Sequence, residues 1–380
     1  MDNRIYLLTI ITFVVGLAEL IIGGILPLIA EDLDVSYGQV GMLISMFSLS
    51  FAISGPILLS LTSKIERKRL FLIVLLIFFL SNLIIVLSDG YIFLMVARIL
   101  SAMCAALLIS LCVTIASQIS DEAYRARAIG FILMGVSASL VLGVPFSLWL
   151  GNELGWRAPF LFIAILTLIL ILVVFIALGR IEPKKRIPLK EQVKALKNRR
   201  IILIQLTSII FFAGHMTLYA YLTPFLQSIL NLTENSLSLM YFIIGLVAMF
   251  GSLLGGFLTD RVGANRTIIL VLSLFTITII TLPFLRFSIV LLIGAMLLWS
   301  LLSWSLQPAI QSYLVSSAPT TSDIQQSLNN SGVHIGMAIG STIGGTIIDL
   351  YYVELNAIIG GAITCLALLI TFMAFKFQRN

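Results

Sequence analysis

Four side chains that can carry charge sit where charge is expensive. Glu19 lies in "VGLAELIIGGILPLIA" (15–30), Arg98 in "VARILSAMCAA" (96–106), His215 in "AGHMTLYAYLTPFL" (213–226) and His334 in "NNSGVHIG" (329–336). Each is surrounded by apolar residues, and such a group persists only if it is paired, neutralised or used. Counted as helical rise, Glu19 is about 21 Å from one end of its run, and Arg98 is about 10 Å into its own from the other side. In a hydrocarbon layer of about 30 Å the two share a depth. A neighbouring cation and the loss of water act on an acid in opposite senses, so a solute or a change of conformation can tip the balance. Two readings of Glu19–Arg98 stay open: a site that loads and releases a proton, or a permanent structural ion pair.

The histidines extend the set. His215 can donate and accept hydrogen bonds and titrates near neutrality. Tyr219 lies one helical turn beyond it, with Tyr221 nearby. His334 follows Asn330 by four residues, so the two share a face. The stretch "LLWSLLSWSLQPAIQSYL" (297–314) breaks its apolar pattern with Trp299, Trp304, Gln307, Gln311 and Tyr313. Gln307 and Gln311 are one turn apart, with Ser303 a turn earlier. Rings offer stacking surface and amides offer paired donors and acceptors, which suits a flat heteroaromatic ligand. The candidate solute-binding set is therefore His215, Tyr219, Trp304, Gln307, Gln311, Asn330 and His334, with Glu19, Arg98 and His215 as candidates for proton coupling. The competing readings are a core histidine at His215 and interhelical hydrogen bonding with interfacial anchoring in 297–314. Asn82 is a weaker candidate. No spacing fits a metal site or a bound cofactor, and none is expected.

These residues need elements that cross a bilayer. Of 380 residues, 60% are hydrophobic and 11% charged, far below the roughly 25% charge of soluble domains. Apolar runs of roughly 20 residues recur, and strand alternation is absent. The expected class is an all-α polytopic membrane protein with spans near 5–30, 37–62, 69–88, 91–117, 124–150, 157–179, 200–228, 235–259, 266–285, 288–315, 323–348 and 354–376. The first run is too long for a signal peptide and is expected to be a retained helix. Cys104, Cys112 and Cys365 fall in apolar runs and read as buried small hydrophobes. No nucleophile–base or metal constellation appears, so an enzyme is not expected.

Basic residues sort by loop. One side carries Arg4, Lys64, Arg67, Lys68, Arg69, Arg125, Arg127, the cluster 180–200, Arg261, Arg266, Lys376 and Arg379; the other carries Arg157 and Arg286. The positive-inside rule places both termini in the cytoplasm. The net charge of +6 is thus a topology signal, not a nucleic-acid footprint. The segment "RIEPKKRIPLKEQVKALKNRR" (180–200) separates two six-span halves, expected as 1–179 and 200–380 around a linker at 180–199. Its Leu189, Val193 and Leu196 predict a short helix on the membrane face.

The halves repeat at an offset of about 197 residues, as duplicated transporters do. "LTSKIERKR" (61–69) falls on "LTDRVGANR" (258–266), and "MGVSASLVLG" (134–143) on "SGVHIGMAIG" (331–340). "AELIIGGILP" (18–27) falls, one residue out, on "GHMTLYAYLTP" (214–224), so Glu19 and His215 are near-counterparts. Small residues, Gly135, Ser137, Ser139 and Gly143 in one helix and Gly332, Gly336 and Gly340 in another, predict close helix contacts; Pro145 can kink its helix.

Taken together, these residues resemble the major facilitator superfamily and, within it, the twelve-span drug:proton antiporters. The family's G-x-x-x-D-R-x-G-R-R motif is degraded at 59–69, with Ser63 and Glu66 at two of its positions alongside Lys64 and Arg67. It is better kept at 256–266, with Asp260 and Arg261. By resemblance, Glu66 takes the place of the missing acid in an inner-face charge lock. "GVSASLVLGVPFSLWLG" (135–151), with Gly143 and Pro145, is similar to the fifth-span efflux motif and implies export. "GLAELIIGGILP", "KIERKRL", "YRARAIGFILMG", "AGHMTLYAYLTPFL", "LLSWSLQPAIQSYL" and "SDIQQSLNNSG" resemble the purine base and nucleoside efflux permeases of Bacillus-like bacteria. The resemblance implies a monomeric, proton-coupled antiporter in the bacterial cytoplasmic membrane, with purines as solute and the lipid bilayer as surroundings. Aromatic amino acids, planar drugs or uptake by proton symport remain alternatives.

Overall fold

The structure is a computed structural model that describes residues 2–121, 124–183, 198–230 and 234–376. The expected surface helix at Leu189–Leu196 lies outside the described residues. Thirteen α-helices are described, α1 Asn3–Asp32, α2 Tyr37–Leu61, α3 Arg67–Leu87, α4 Tyr91–Ile119, α5 Arg125–Leu154, α6 Ala158–Ala177, α7 Arg199–Tyr219, α8 Leu222–Leu230, α9 Glu234–Val262, α10 Ala264–Thr281, α11 Ile289–Ser317, α12 Ser322–Leu350 and α13 Leu355–Lys376. Among the described residues twelve helices are long and apolar enough to span a bilayer, matching the expected spans within a few residues.

The seventh span departs from expectation. It was expected unbroken over 200–228, but it stops at Tyr219 and resumes at Leu222 as the short helix α8. Pro224 explains the break, because it has no N–H to give the carbonyl of Ala220. Helix starts follow local chemistry. Ser36 and Gln39 form a reciprocal capping box on α2, and the Glu66 carboxylate caps α3.

Every odd-numbered crossing starts at the end that carries the termini (the terminal end); the opposite one is the far end. At the far end Arg157 donates to Asp32 at 2.7 Å and to the Ser88 carbonyl at 3.0 Å, and Trp156 donates to Asp32 at 2.8 Å. One of the few basic residues on that side thus ties α1, the α3–α4 turn and the start of α6 together.

Lipid gives helices no hydrophobic reason to associate, so contact depends on close packing. On α5, Gly135, Ser139, Gly143, Ser147 and Gly151 face α1, meeting Thr9 and Thr12, Gly16, Leu17, Gly24 and Ile25 in turn. In the second half, Gly332, Gly336, Gly340 and Gly344 on α12 meet Ile209, Phe212, Ala213 and Thr217 on α7 in the same order. The repeat seen in sequence is therefore a repeat of one helix–helix seam. Ser137 faces outward and takes no part in it. Cys104 and Cys112 are buried as expected, but Cys365 faces outward on α13; an apolar run has a lipid side as well as a core side.

A side chain at Gly336 or Gly340 would collide with the backbone carbonyls of Ile209 and Ala213, so the helices would have to separate. Gly340→Leu should destabilise the protein by about 1–3 kcal/mol or more, read as a lower Tm in detergent. Gly294→Ala, with open space at its Cβ, should leave Tm unchanged.

Candidate functional site

Glu19, Arg98 and His334 converge midway between the ends, from α1, α4 and α12. The Arg98 guanidinium is fully buried, donates from Nη1 to the Ala18 carbonyl at 2.6 Å, and lies 4.2 Å from the Phe47 ring centre. Its Nε and Nη2 have no hydrogen-bond partner. The shared depth expected for Glu19 and Arg98 holds, since the guanidinium bonds the residue next to the acid. A direct Glu19–Arg98 ion pair is not present: the guanidinium spends its contact on backbone, and the carboxylate turns to the other half of the chain. There Glu19 Oε1 lies 3.5 Å from His334 Nδ1. The His334 ring stacks on Phe51 at 4.0 Å. His334, expected among the solute-binding residues, is thus the neighbour of the acid.

His215 forms a second group. It is buried, and its ring lies 5.0 Å from Trp299, 5.2 Å from Tyr219, 5.9 Å from Phe275 and 6.3 Å from Phe211. His215 Nδ1 and Trp299 Nε1 are buried without hydrogen-bond partners. The expected His215–Tyr219 face is therefore present, and the tryptophan that meets it is Trp299. Trp304 is half-buried and Gln311 exposed; Gln307 keeps a buried Oε1 without a partner. Among the described residues no hydrogen bond or ring contact joins Trp304, Gln307 or Gln311 to either group. Asn82 is buried, donating to the Phe78 carbonyl within its own helix at 2.7 Å.

Asn330 is exposed, in a cleft between the halves at the terminal end. Phe51, Gly55, Pro56, Leu59 and Ser60 of α2, Ser110 and its neighbours on α4, and Ser327, Asn330 and Ser331 of α12 line it. Its volume is about 80 Å³, room for a few waters and well below the roughly 300–1,000 Å³ of solute pockets. The far end is sealed. Asp349 of α12 accepts from Ser36 Oγ at 2.6 Å and from the Gly38 N–H at 2.9 Å, capping α2 across the halves. Ser45 and Ser341 share a hydrogen bond at 2.7 Å, Tyr221 donates to the Ser341 carbonyl at 2.7 Å, and Thr223 donates to the Gly23 carbonyl at 2.9 Å. Beside the histidines, a buried amide cluster joins α7 to α12: Gln205 donates to the Gln325 carbonyl at 3.0 Å, and Asn329 donates to Gln205 at 3.0 Å.

Sequence reasoning missed Phe47, Phe51, Phe211 and Phe275, which look like lipid-facing filler in an apolar run. Gln205 was findable as a lone amide in "IILIQLTS". Asp349 gave no local signal, since its partners are more than 300 residues away.

The terminal-face motif is built within the first half. Glu66 Oε1 accepts from the Lys68 and Ile181 N–H groups and Oε2 from Arg69, at 2.8–2.9 Å. Arg67 is buried, and its N–H donates to the Ile181 carbonyl at 3.0 Å. Glu66, expected as the acid of an inner-face charge lock, binds its own helix and the chain after α6, with Arg180 as its cationic neighbour. Lys64 and Asp260 are exposed, and Arg261 lies over Phe257 at 4.3 Å. Gly143 sits against Leu17 in the α1–α5 seam, with Pro145 half-buried two residues on.

A family model described as "Major Facilitator Superfamily" matches residues 8–323. The chain is 32% identical over 375 residues to the "Uncharacterized MFS-type transporter YbcL" of Bacillus subtilis, covering 99% of this chain and 96% of that one. It is 29% identical over 373 residues to the "Inner membrane transport protein YdhP" of Escherichia coli, covering 98% and 95%. Among solved structures, a bacterial homolog of the human lysosomal transporter Spinster, inward-facing and unoccupied, superposes with a TM-score of 0.80 over 98% of both chains, at 16% identity.

The Glu66 clasp has a pH signature. Burial raises its carboxyl, but the N–H donors of Ile181, Arg69 and Lys68 outweigh burial and hold it below the usual carboxylate value. A depressed folded-state value contributes stability above the unfolded value and loses it as pH falls through the folded one. Wild type should therefore exceed Glu66→Gln in Tm at neutral pH, with the gap closing as acidification protonates Glu66.

Proposed function

The chain belongs to the Major Facilitator Superfamily, and from that premise we propose that it is a proton-coupled exporter of a small, flat, partly aromatic solute, with purine bases and nucleosides first. As a member it is a secondary transporter that moves a small solute across the membrane, and not an enzyme. The proposed setting is the bacterial inner membrane, as a monomer with both termini in the cytoplasm. The basic loops support that orientation, which makes the terminal-end cleft an inward-facing opening.

One observation carries the coupling: a carboxylate of the first half, Glu19, lies near a buried guanidinium of the same half and 3.5 Å from an imidazole of the second, His334, which stacks on the cleft-lining Phe51. A proton taken up there changes the attraction between the two halves, which is what alternating access requires. The solute class rests on the His215–Tyr219–Trp299 rings, with buried His215 and Trp299 nitrogens available to hydrogen-bond a heteroaromatic edge. Gln307, Gln311, Trp304 and Asn330 are proposed to complete the site as the halves move. The glycine seams, with Gly143 and Pro145, are proposed to let the helices inside each half adjust as the halves move.

Inverted vesicles with an imposed pH gradient and radiolabelled adenine or adenosine test the proposal. Wild type should move the purine in the export sense when the gradient is applied, and Glu19→Gln should lose at least tenfold of that flux while retaining binding. Full gradient-driven export by Glu19→Gln would defeat the coupling role. Absence of purine flux, with transport of an aromatic amino acid or planar cation in its place, would overturn the substrate and leave the transporter standing.

A further inference from the structure

We propose that His334 is the proton partner of Glu19 from the second half, so that one proton shared between Oε1 and Nδ1 sets how strongly the halves hold together. The inference rests on the proton-coupled reading above and assigns it a residue on the opposite half.

The geometry has four parts. First, the approach of 3.5 Å joins α1 to α12, two helices that belong to different halves. Any motion that swings α12 from α1 must part this pair. Second, His334 Nδ1 has no hydrogen-bond partner, so no backbone carbonyl fixes its tautomer and the nitrogen facing the acid is free to gain or lose a proton. Third, stacking on Phe51 at 4.0 Å fixes the plane of the imidazole. Phe51 also lines the cleft with Ser60, Ser110, Ser327, Asn330 and Ser331. A polar path from the terminal end therefore stops at the ring against which His334 lies. Fourth, the halves are joined on the far side of the pair by Ser45–Ser341 and by Thr223 on the Gly23 carbonyl.

The balance is simple. A proton entering through the cleft adds to His334 or to Glu19. Transfer from imidazolium Nδ1–H to carboxylate Oε1 turns an attracting ion pair into a neutral imidazole and a carboxylic acid, with no other reactant. The other ionisable groups of the packed helices do different work. Arg98 on α4 supplies a fixed positive charge and is bonded to the Ala18 carbonyl. His215 and Tyr219 on α7 are stacked together with Trp299. Tyr221 bonds Ser341, and Tyr313 on α11 packs against Phe375. The membrane-buried stretches of α2, α5 and α13 carry no Asp, Glu, His, Lys or Arg.

The test needs no solute. Spin labels on Ser60 and Ser327, across the cleft, report the distance between halves in nanodiscs as pH is varied. Wild type should switch between two distance populations, and His334→Gln should abolish the switch or move its midpoint by at least one pH unit, as should Glu19→Gln. A wild-type-like midpoint in His334→Gln overturns this inference alone; a wild type that ignores pH overturns the proton-coupled reading itself. Should His334→Gln fail to give monodisperse protein, the two histidines of the chain allow selective ¹⁵N labelling of the folded protein. Glu19→Gln should then shift the titration of the His334 signal by at least one pH unit and leave that of His215 in place. An unmoved His334 signal overturns the pairing.

Discussion

Lipid withholds from these helices the force that folds soluble proteins, and most of the architecture answers that constraint. A leucine gains little by leaving hydrocarbon for another helix, so attraction comes from close backbone approach and from the few polar contacts that can be satisfied. Gly135, Ser139, Gly143 and Ser147 bring α5 onto α1, and Gly332, Gly336, Gly340 and Gly344 bring α12 onto α7. Because both seams are smooth rows of small residues, they resist separation but offer few side-chain knobs against sliding. Both seams lie inside a half, so each holds its own bundle together.

The polar contacts are spent unevenly. At the far end, hydroxyls and the Asp349 carboxylate join the halves through hydrogen bonds near 2.6–2.9 Å. Asp349 also caps the α2 N-terminus, where a negative charge is favoured by the helix dipole. Among the described residues, the terminal end has the Ser- and Asn-lined cleft in place of such a latch. The far end is thus latched across the halves, while a small cleft enters from the terminal end.

Between the ends lies a layer of polar atoms with unused capacity: Arg98 Nε and Nη2, His215 Nδ1, Trp299 Nε1, Gln307 Oε1 and His334 Nδ1. Buried polar atoms without partners are rare, and each costs on the order of 1–3 kcal/mol. A stable core would have replaced them. Those of Arg98 and His334, and of His215 and Trp299, lie within the two groups of the candidate site.

Much of this was legible in the residues. Twelve apolar runs, the sorting of basic loops and the repeated small-residue pattern determine spans and repeat, because each follows from helix period, bilayer thickness and transfer cost acting locally. Glu19, Arg98, His215 and His334 were visible for the same reason: a charge in an apolar run stands out wherever its partner is. Pro224 could have marked the break in the seventh span. What spacing could not supply was pairing. Depth is one coordinate, and it placed Arg98 level with Glu19, but the direction of each side chain depends on how the helices rotate and pack. Only the tertiary structure decided that Arg98 holds a carbonyl, that Glu19 faces His334, that Trp299 rather than Trp304 meets His215, and that Glu66 clasps Ile181. Those choices depend on contacts between residues tens to hundreds of positions apart, which no local period in the sequence encodes.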